Sequence, residues 1–280
     1  VCIRVNFSKN YLNKVNFRKS TQFESLEMFR YRFDLEYQGT PFCGWQFQPH
    51  CLTVQGVFEK ALSRTTGEEV TCFAAGRTDS GVHASGQVVH ATFKKDYGSK
   101  RLLYGTNAHM GAHPVVVREV HPVSLDFHAR FSARQRIYEY ILLNRPSPPV
   151  LDLNRVWWVG RPLCFDAMQE AAVLLEGTHN FDVLRSRACQ AMRVKRTLDF
   201  MHLEHKDEHI HFYTGARAFL HNQVRLMVGL LVEVGLGRKT LGNVQTLLSG
   251  VRLEPMLAAP AQGLYFRRVI YPPHILSEGE

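Results

Sequence analysis

Phe73–Phe93 reads FAAGRTDSGVHASGQVVHATF, two apolar, β-favouring segments on either side of a polar knot, Gly76-Arg77-Thr78-Asp79-Ser80-Gly81. Glycines at both ends of the knot permit a tight backbone path with positive φ. A guanidinium and a carboxylate, Arg77 and Asp79, stand at its tip. Gln87–Phe93 then resumes a strand, so the knot is a loop held on a sheet. A short turn fixed by rigid strands is a favourable place for a catalytic acid. The same residues also read as a hairpin loop in which Asp79 only caps a turn.

The chain around this loop has 280 residues, 45% hydrophobic and 21% charged, enough for one large domain or two smaller ones around a substantial core. Lys and Arg number 34 against 25 Asp and Glu, a formal charge of +9. That surplus favours a polyanionic partner. Six cysteines lie scattered without a CxxC pair, which fits neither a disulfide framework nor a zinc ribbon and points to a reducing, cytoplasmic setting. No run of uninterrupted apolar residues is long enough for a membrane span, so no membrane partner is expected. Residues 1–27 are basic and lack a secretory-type apolar core. They read as an N-terminal extension, disordered or non-native, with Met28 as the natural start. A transit peptide is the other reading, and Glu24 and Glu27 argue against it.

Phe29–Tyr37 alternates apolar and charged residues as a strand with one buried face. Thr53 is a candidate N-cap for a helix running to about Thr65. A strand over Val70–Ala75, a helix over Lys100–Met110 and a strand over Val115–Val120 complete the first half. Lys94, Lys95, Lys100 and Arg101 form a basic cluster, read either as a solvated face or as a phosphate contact. Asp126–Tyr140 interleaves arginines with Phe and Tyr, a composition suited to holding phosphate and base. Asn144–Pro149 is proline-rich and breaks the chain.

Beyond it, a helix is expected over Phe165–Leu175, a hairpin over Thr197–His205 and His209–Thr214, a helix over Ala218–Glu233, another over Leu241–Leu248 and a closing strand to Tyr271. The long helix carries Leu220, Val224, Met227 and Leu231 on its core stripe, with His221, Asn222 and Arg225 on a polar side. The hairpin histidines, His202, His205, His209 and His211, read as an exposed polar face, and nothing in their pattern requires a metal. Strand, helix and two further strands thus occur before and after residue 130. This gives α+β halves, 28–130 and 131–280, each with an antiparallel sheet and helices on one face.

Gly76–Ala84, GRTDSGVHA, resembles the signature GRTDAGVHA of the TruA family of tRNA pseudouridine synthases, with Ser80 the one departure. Tyr37–Gln46 is similar to the family's Y-D-G-T-x-F-x-G-W-Q, and Phe127–Tyr140 to its F-x-A-R-x-x-A-x-x-R-x-Y-x-Y. Gly177–Phe181 resembles G-T-H-D-F, Phe219–Arg225 resembles F-L-x-x-M-V-R with Gln223 in place of methionine, and Ala259–Phe266 resembles A-P-A-x-G-L-x-L. The likeness covers roughly residues 28–271 and keeps the family's order.

The resemblance implies two related ferredoxin-like halves joined into one large sheet, with an active-site cleft between them. It implies isomerisation of uridine to pseudouridine at positions 38, 39 and 40 of the tRNA anticodon arm by a cytoplasmic homodimer. Asp79 would be the nucleophile and Arg225 its partner. Arg77 would fill the space left by the flipped base, Tyr138 would stack on the uracil and could take the C5 proton, and Leu264 would wall the pocket. The reaction needs no redox change or external energy. No cofactor is expected, and the chain has neither GxGxxG nor a P-loop. The alternatives are a synthase acting on other RNA sites, a non-catalytic RNA-binding protein, and a metal hydrolase built on the hairpin histidines.

Overall fold

The computed structural model describes residues 27–186, 189, 191–253 and 256–276, so the expected N-terminal extension lies outside the described residues except for Glu27. β1 (Phe29–Tyr37) keeps the expected alternation, with Tyr31, Phe33, Leu35 and Tyr37 buried. It pairs antiparallel with β3 (His83–Phe93) on one side and β4 (Val115–Val123) on the other. α1 (Val54–Thr66) begins where the Thr53 hydroxyl accepts the Gly56 N–H, and ends at Gly67 in the left-handed region. Its Phe58 sits edge-on to Phe33 at 5.3 Å, which docks the helix on the sheet. β2 (Cys72–Ala74) and α2 (Ser99–Met110) complete this side. Arg101 of the basic cluster lies over the Tyr97 ring and donates to Thr65 O, so part of that cluster serves local structure.

The later strands are β5 (Gln135–Asn144), β6 (Trp157–Val159), β7 (Gly177–Asn180), β8 (Lys195–Lys206), β9 (His209–Ala216) and β10 (Leu264–Ile270). α3 (Phe165–Leu175), α4 (Gln223–Gly235), α5 (Leu241–Leu248) and α6 (Pro273–Leu276) lie between and after them. The main strand order is β4-β1-β3-β10-β5-β9-β8-β7, with β2 on β3 and β6 on β5. The last strand in sequence therefore stands at the centre, where it bridges strands from before residue 124 and strands from after residue 134. Tyr265 pairs with His83 and Phe266 with Ala84 in parallel, and β10 runs antiparallel to β5.

Two features close this seam. A Cβ on Gly86 would fall 2.3 Å from the Arg267 carbonyl oxygen, so the backbones approach there only because the residue is glycine. His83 is buried beside it, stacked on Tyr265 at 4.8 Å. Its Nδ1 accepts the Gly39 N–H, so the proton is on Nε2, which donates to the Asn154 and Gln262 carbonyls. Burial pushes the pKa of this imidazole down.

One row of residues crosses the seam on the helix-covered face: Tyr37, Ala84, Phe266, Tyr138, Thr214 and Met201. The opposite face is polar and paired. Arg32 grips Asp34 through two bonds, and Glu139 meets His211 at 2.8 Å and Arg267 at 3.3 Å. His209 and His202 join this pattern singly, with Asp152 and Glu204, whereas His205, paired with Ile210, faces the helices and lies 5.7 Å from the Phe165 ring, so the four histidines do not share one polar face as expected. Among the described residues no three metal-ligating side chains converge, and no helix is long and apolar enough to cross a membrane.

The helix expected from Ala218 begins only at Gln223. Asn222 is in the left-handed region at φ 62°, and the Gln223 side chain accepts the Leu220 N–H at 2.8 Å. Ala218–Asn222 is therefore an anchored approach to the helix. The amide standing where the family pattern has methionine caps that approach from a buried position.

Candidate active site

The loop between β2 and β3 is pinned on almost every side. Ala75 donates its N–H to Val88 O, and its carbonyl receives two bonds from the Arg136 guanidinium, at 3.1 and 2.9 Å. The Gly76 carbonyl accepts the Gln87 amide at 2.8 Å. Thr78 is held by the Tyr37 hydroxyl at 2.8 Å and by the Trp45 N–H, which donates to its carbonyl at 3.0 Å. Gly44, at φ +92°, makes room for that carbonyl; a Cβ there would come within 2.7 Å of it. Ser80 donates to Phe42 O, and Gly81 turns the chain at φ +79°. Asp79, between these anchors, keeps a side chain that is 32% exposed. The sequence FCGW thus serves as a backing wall for the loop.

The approach to α4 faces this carboxylate. His221 Nε2 lies 3.2 Å from Asp79 Oδ1, and Arg225 Nη1 lies 4.0 Å from Oδ2. The second distance is an ion pair too long for a hydrogen bond. The guanidinium is held by its other bonds, Nε to Ala259 O at 2.7 Å and Nη1 to Asn222 Oδ1 at 3.0 Å. Asp79 and Arg225, far apart in sequence, are therefore brought together, with His221 the nearer of the two groups to the carboxylate.

Tyr138 lies in the floor beneath the loop, buried and edge-on to Phe219 at 5.1 Å and Phe266 at 4.9 Å. Its hydroxyl would be 3.8 Å from a Cβ on Gly76, which places it under the start of the loop. Burial, with smaller contributions from Tyr37 and Asp79, pushes the phenol pKa well up, so it is a neutral hydroxyl. Leu264 is buried and follows the tight turn Ala261–Gly263, whose Ala261 touches Gly81. Arg77 is exposed and has no hydrogen bond or ion pair among the described residues.

A family model described as tRNA pseudouridine synthase matches residues 35–132 and 171–272. The chain is 44% identical over 246 residues to tRNA pseudouridine synthase A of Rhodospirillum rubrum, covering 88% of both chains. It is 44% identical over 245 residues to the same-named protein of Rhodopseudomonas palustris strain HaA2, covering 87% of this chain and 100% of the relative. For that of Caulobacter sp. strain K31 the identity is 43%, over 87% of this chain and 98% of the relative. The chain belongs to the tRNA pseudouridine synthase family.

The two matched blocks of this pseudouridine synthase contain Arg77, Asp79, Arg225 and Leu264, and Tyr138 falls between them. Chemically, a partly exposed carboxylate with cationic side chains near both oxygens and no hydrogen bond capping either is equipped as a nucleophile toward a sugar carbon. Sequence reasoning missed three of the groups around it. His221 lay inside a motif but in a position the motif leaves open. The Tyr37 hydroxyl was assigned to a strand, and Asn222 to the polar side of a helix that does not yet exist there. A short polar His-Asn pair just before an apolar helix is the one signal in the sequence that could have marked them.

Proposed function

We propose that the protein converts uridine to pseudouridine at positions 38, 39 and 40 of the tRNA anticodon stem-loop, with Asp79 as the nucleophile. The observation that carries this reading is the Asp79 carboxylate, presented by a fully anchored loop and met by Arg225 and His221 from another part of the chain. The relatives' shared name supports tRNA as the substrate class, and the +9 charge suits it.

The target uridine must leave its stack to be reached, at a cost of roughly a few kcal/mol. Arg77, exposed beside Asp79, is free to enter the vacated space. One Asp79 oxygen attacks C1′ as the C1′–N1 bond breaks, its electron pair going to the uracil. The uracil turns and C5 bonds to C1′, returning the electron pair to the carboxylate. C5 then loses a proton and N1 carries one. Tyr138, as a buried neutral phenol, can accept the C5 proton only by passing its own hydroxyl proton onward. Leu264 borders the pocket and helps keep water from the detached base.

The protein acts in the cytoplasm as a homodimer on this reading, and residues 28–130 and 131–280 form its two halves. The strand order, with β10 between the two sets, supports that division. Pseudouridine mapping on an unmodified tRNA transcript with uridines at 38, 39 and 40, in the presence of a chelator, tests the assignment. Modification at those positions is expected. Modification confined to other sites would move the substrate, and tRNA binding with no modified uridine would end the reading.

A further inference from the structure

We propose that Arg130 and Arg217 form a binding site for a backbone phosphate of the RNA, at the root of the loop that carries Asp79. This rests on tRNA being the substrate of the proposed reaction, and it assigns a contact outside the reacting pocket.

The site is organised by the buried Arg136. Its guanidinium donates twice to the Ala75 carbonyl, and also to the carbonyls of Arg130 and Arg217. Three stretches of chain therefore meet around one planar group: the start of the catalytic loop, the link between β4 and β5, and the first residue after β9. Each of these bonds ends on a neutral carbonyl. Among the described residues Arg136 has no carboxylate partner, so a full positive charge is enclosed without a counter-ion. Such a charge is costly to hold unless an anion stands near it. Burial pushes its pKa down, and the charges of Arg130 and Arg217 add to that push.

Arg130 and Arg217 are themselves exposed, and among the described residues neither side chain meets an acidic partner. Elsewhere arginines are matched: Arg32 with Asp34, Arg145 with Glu208 and Arg238 with Glu233. Arg130 instead lies over the exposed Phe131 ring at 5.7 Å, which supports the guanidinium and uses none of its N–H donors on a protein acceptor. Three arginines around one point with no carboxylate among them are a setting that a phosphate completes. The two exposed forks supply N–H donors to its free oxygens, and its charge offsets that of Arg136. The place gives the contact its use. Ala75 stands four residues before Asp79, so an RNA strand gripped here is registered against the nucleophile's own loop. Arg130 belongs to the arginine and aromatic run that reads in sequence as suited to phosphate, whereas Arg217 lies outside every motif.

The test compares full-length wild type with Arg130→Ala, Arg217→Ala, the double variant, Arg217→Lys and Arg161→Ala. Arg161 is a control of equal charge change, exposed at the far end of β5, roughly 25 Å from Arg136. The bonds from Arg136 end on main-chain carbonyls, so side-chain replacement leaves them in place, and thermal melts check folding. Dissociation constants for an unmodified tRNA transcript are measured over a range of salt, with single-turnover pseudouridine formation at saturating tRNA. The double variant is expected to bind about tenfold more weakly or worse. Its plot of log affinity against log salt should be shallower by about 0.7–0.9, the share of one phosphate. The single variants fall between, and Arg217→Lys keeps the wild-type slope. Rates at saturation should stay within about twofold of wild type. A folded double variant with wild-type affinity and slope would overturn the inference. So would an Arg161→Ala protein that loses as much as Arg217→Ala, which would assign the effect to overall charge. A wild type that binds tRNA and forms no pseudouridine would instead overturn the reading of the reaction, and the affinities would still decide the phosphate site.

Discussion

The two sides of the site are built in opposite ways. On the Asp79 side, each flanking residue is tied to neighbouring strands or to the Phe42–Trp45 wall, and the carboxylate projects from a rigid turn. On the α4 side, His221 and Arg225 hang on an irregular turn held by side chains: the Gln223 cap, the Asn222 amide and the bond to Ala259 O. The contrast teaches that stability and chemistry are coupled on the first side and separable on the second. A change in the loop's supports strains backbone packed into the seam. A change on the helix approach alters what the carboxylate meets and leaves the sheet intact.

The largest effect should come from Gly44→Ala on the loop side. The φ of +92° and the approach to Thr78 O together cost about 2–4 kcal/mol, so both melting temperature and pseudouridine formation should fall. Wild-type activity and stability in this variant would break the coupling. Next, Arg225→Ala should lower the single-turnover rate about 10- to 100-fold while the protein stays folded with a modest fall in melting temperature, because its bonds to Ala259 O and Asn222 Oδ1 brace the helix approach and not the sheet. Unfolding of Arg225→Ala would show that the helix approach is as structural as the loop.

Acid should act on the sheet behind the loop. His83 and His90 both have depressed pKa values, that of His90 pushed down to about 3 by burial first and then by His128 and Arg30. Above the unfolded value of about 6.5 both states are neutral and stability is flat. Below it the unfolded chain takes up protons that the folded one refuses, so stability falls, approaching about 1.4 kcal/mol per pH unit for His90, with His83 acting in the same direction. Urea denaturation between pH 7.5 and about 5 checks this, and His90→Gln should reduce the slope by roughly one proton's worth.

The smallest pair of effects is the sharpest comparison. Tyr37→Phe removes the bond to Thr78, and Gln223→Met removes the cap on Leu220 N–H. Each should cost about 1 kcal/mol of stability. Both anchors sit behind reacting groups, but the Tyr37 bond fixes the residue next to the nucleophile. Tyr37→Phe should therefore slow catalysis more than Gln223→Met, and the reverse order would undo the distinction drawn here.

Local pattern made the first side readable from sequence and left the second largely hidden. The alternation of Phe29–Tyr37, the Thr53 cap and the glycine-bounded knot are each decided by neighbours a few residues away. The expected Phe165–Leu175 and Leu241–Leu248 helices were legible for the same reason. The start of α4 was not. Apolar periodicity carries through Leu220, and only the left-handed Asn222 and the folded-back Gln223 amide stop the helix before it. The place of β10 was equally beyond local reading, since the final strand enters the centre of the sheet through a two-residue parallel pairing that Gly86 permits. Family likeness, and no spacing rule, joined Asp79 to Arg225 in advance, while His221 emerged only from the folded chain.

The central claim is that Asp79 is the nucleophile. Single-turnover pseudouridine formation on a tRNA transcript with uridines at 38, 39 and 40 tests it most directly, comparing wild type with Asp79→Ala and Asp79→Asn. The account predicts modification by wild type and a fall of roughly 10^4-fold or more in both variants, with tRNA still bound. Pseudouridine formed at a comparable rate by either variant would contradict it.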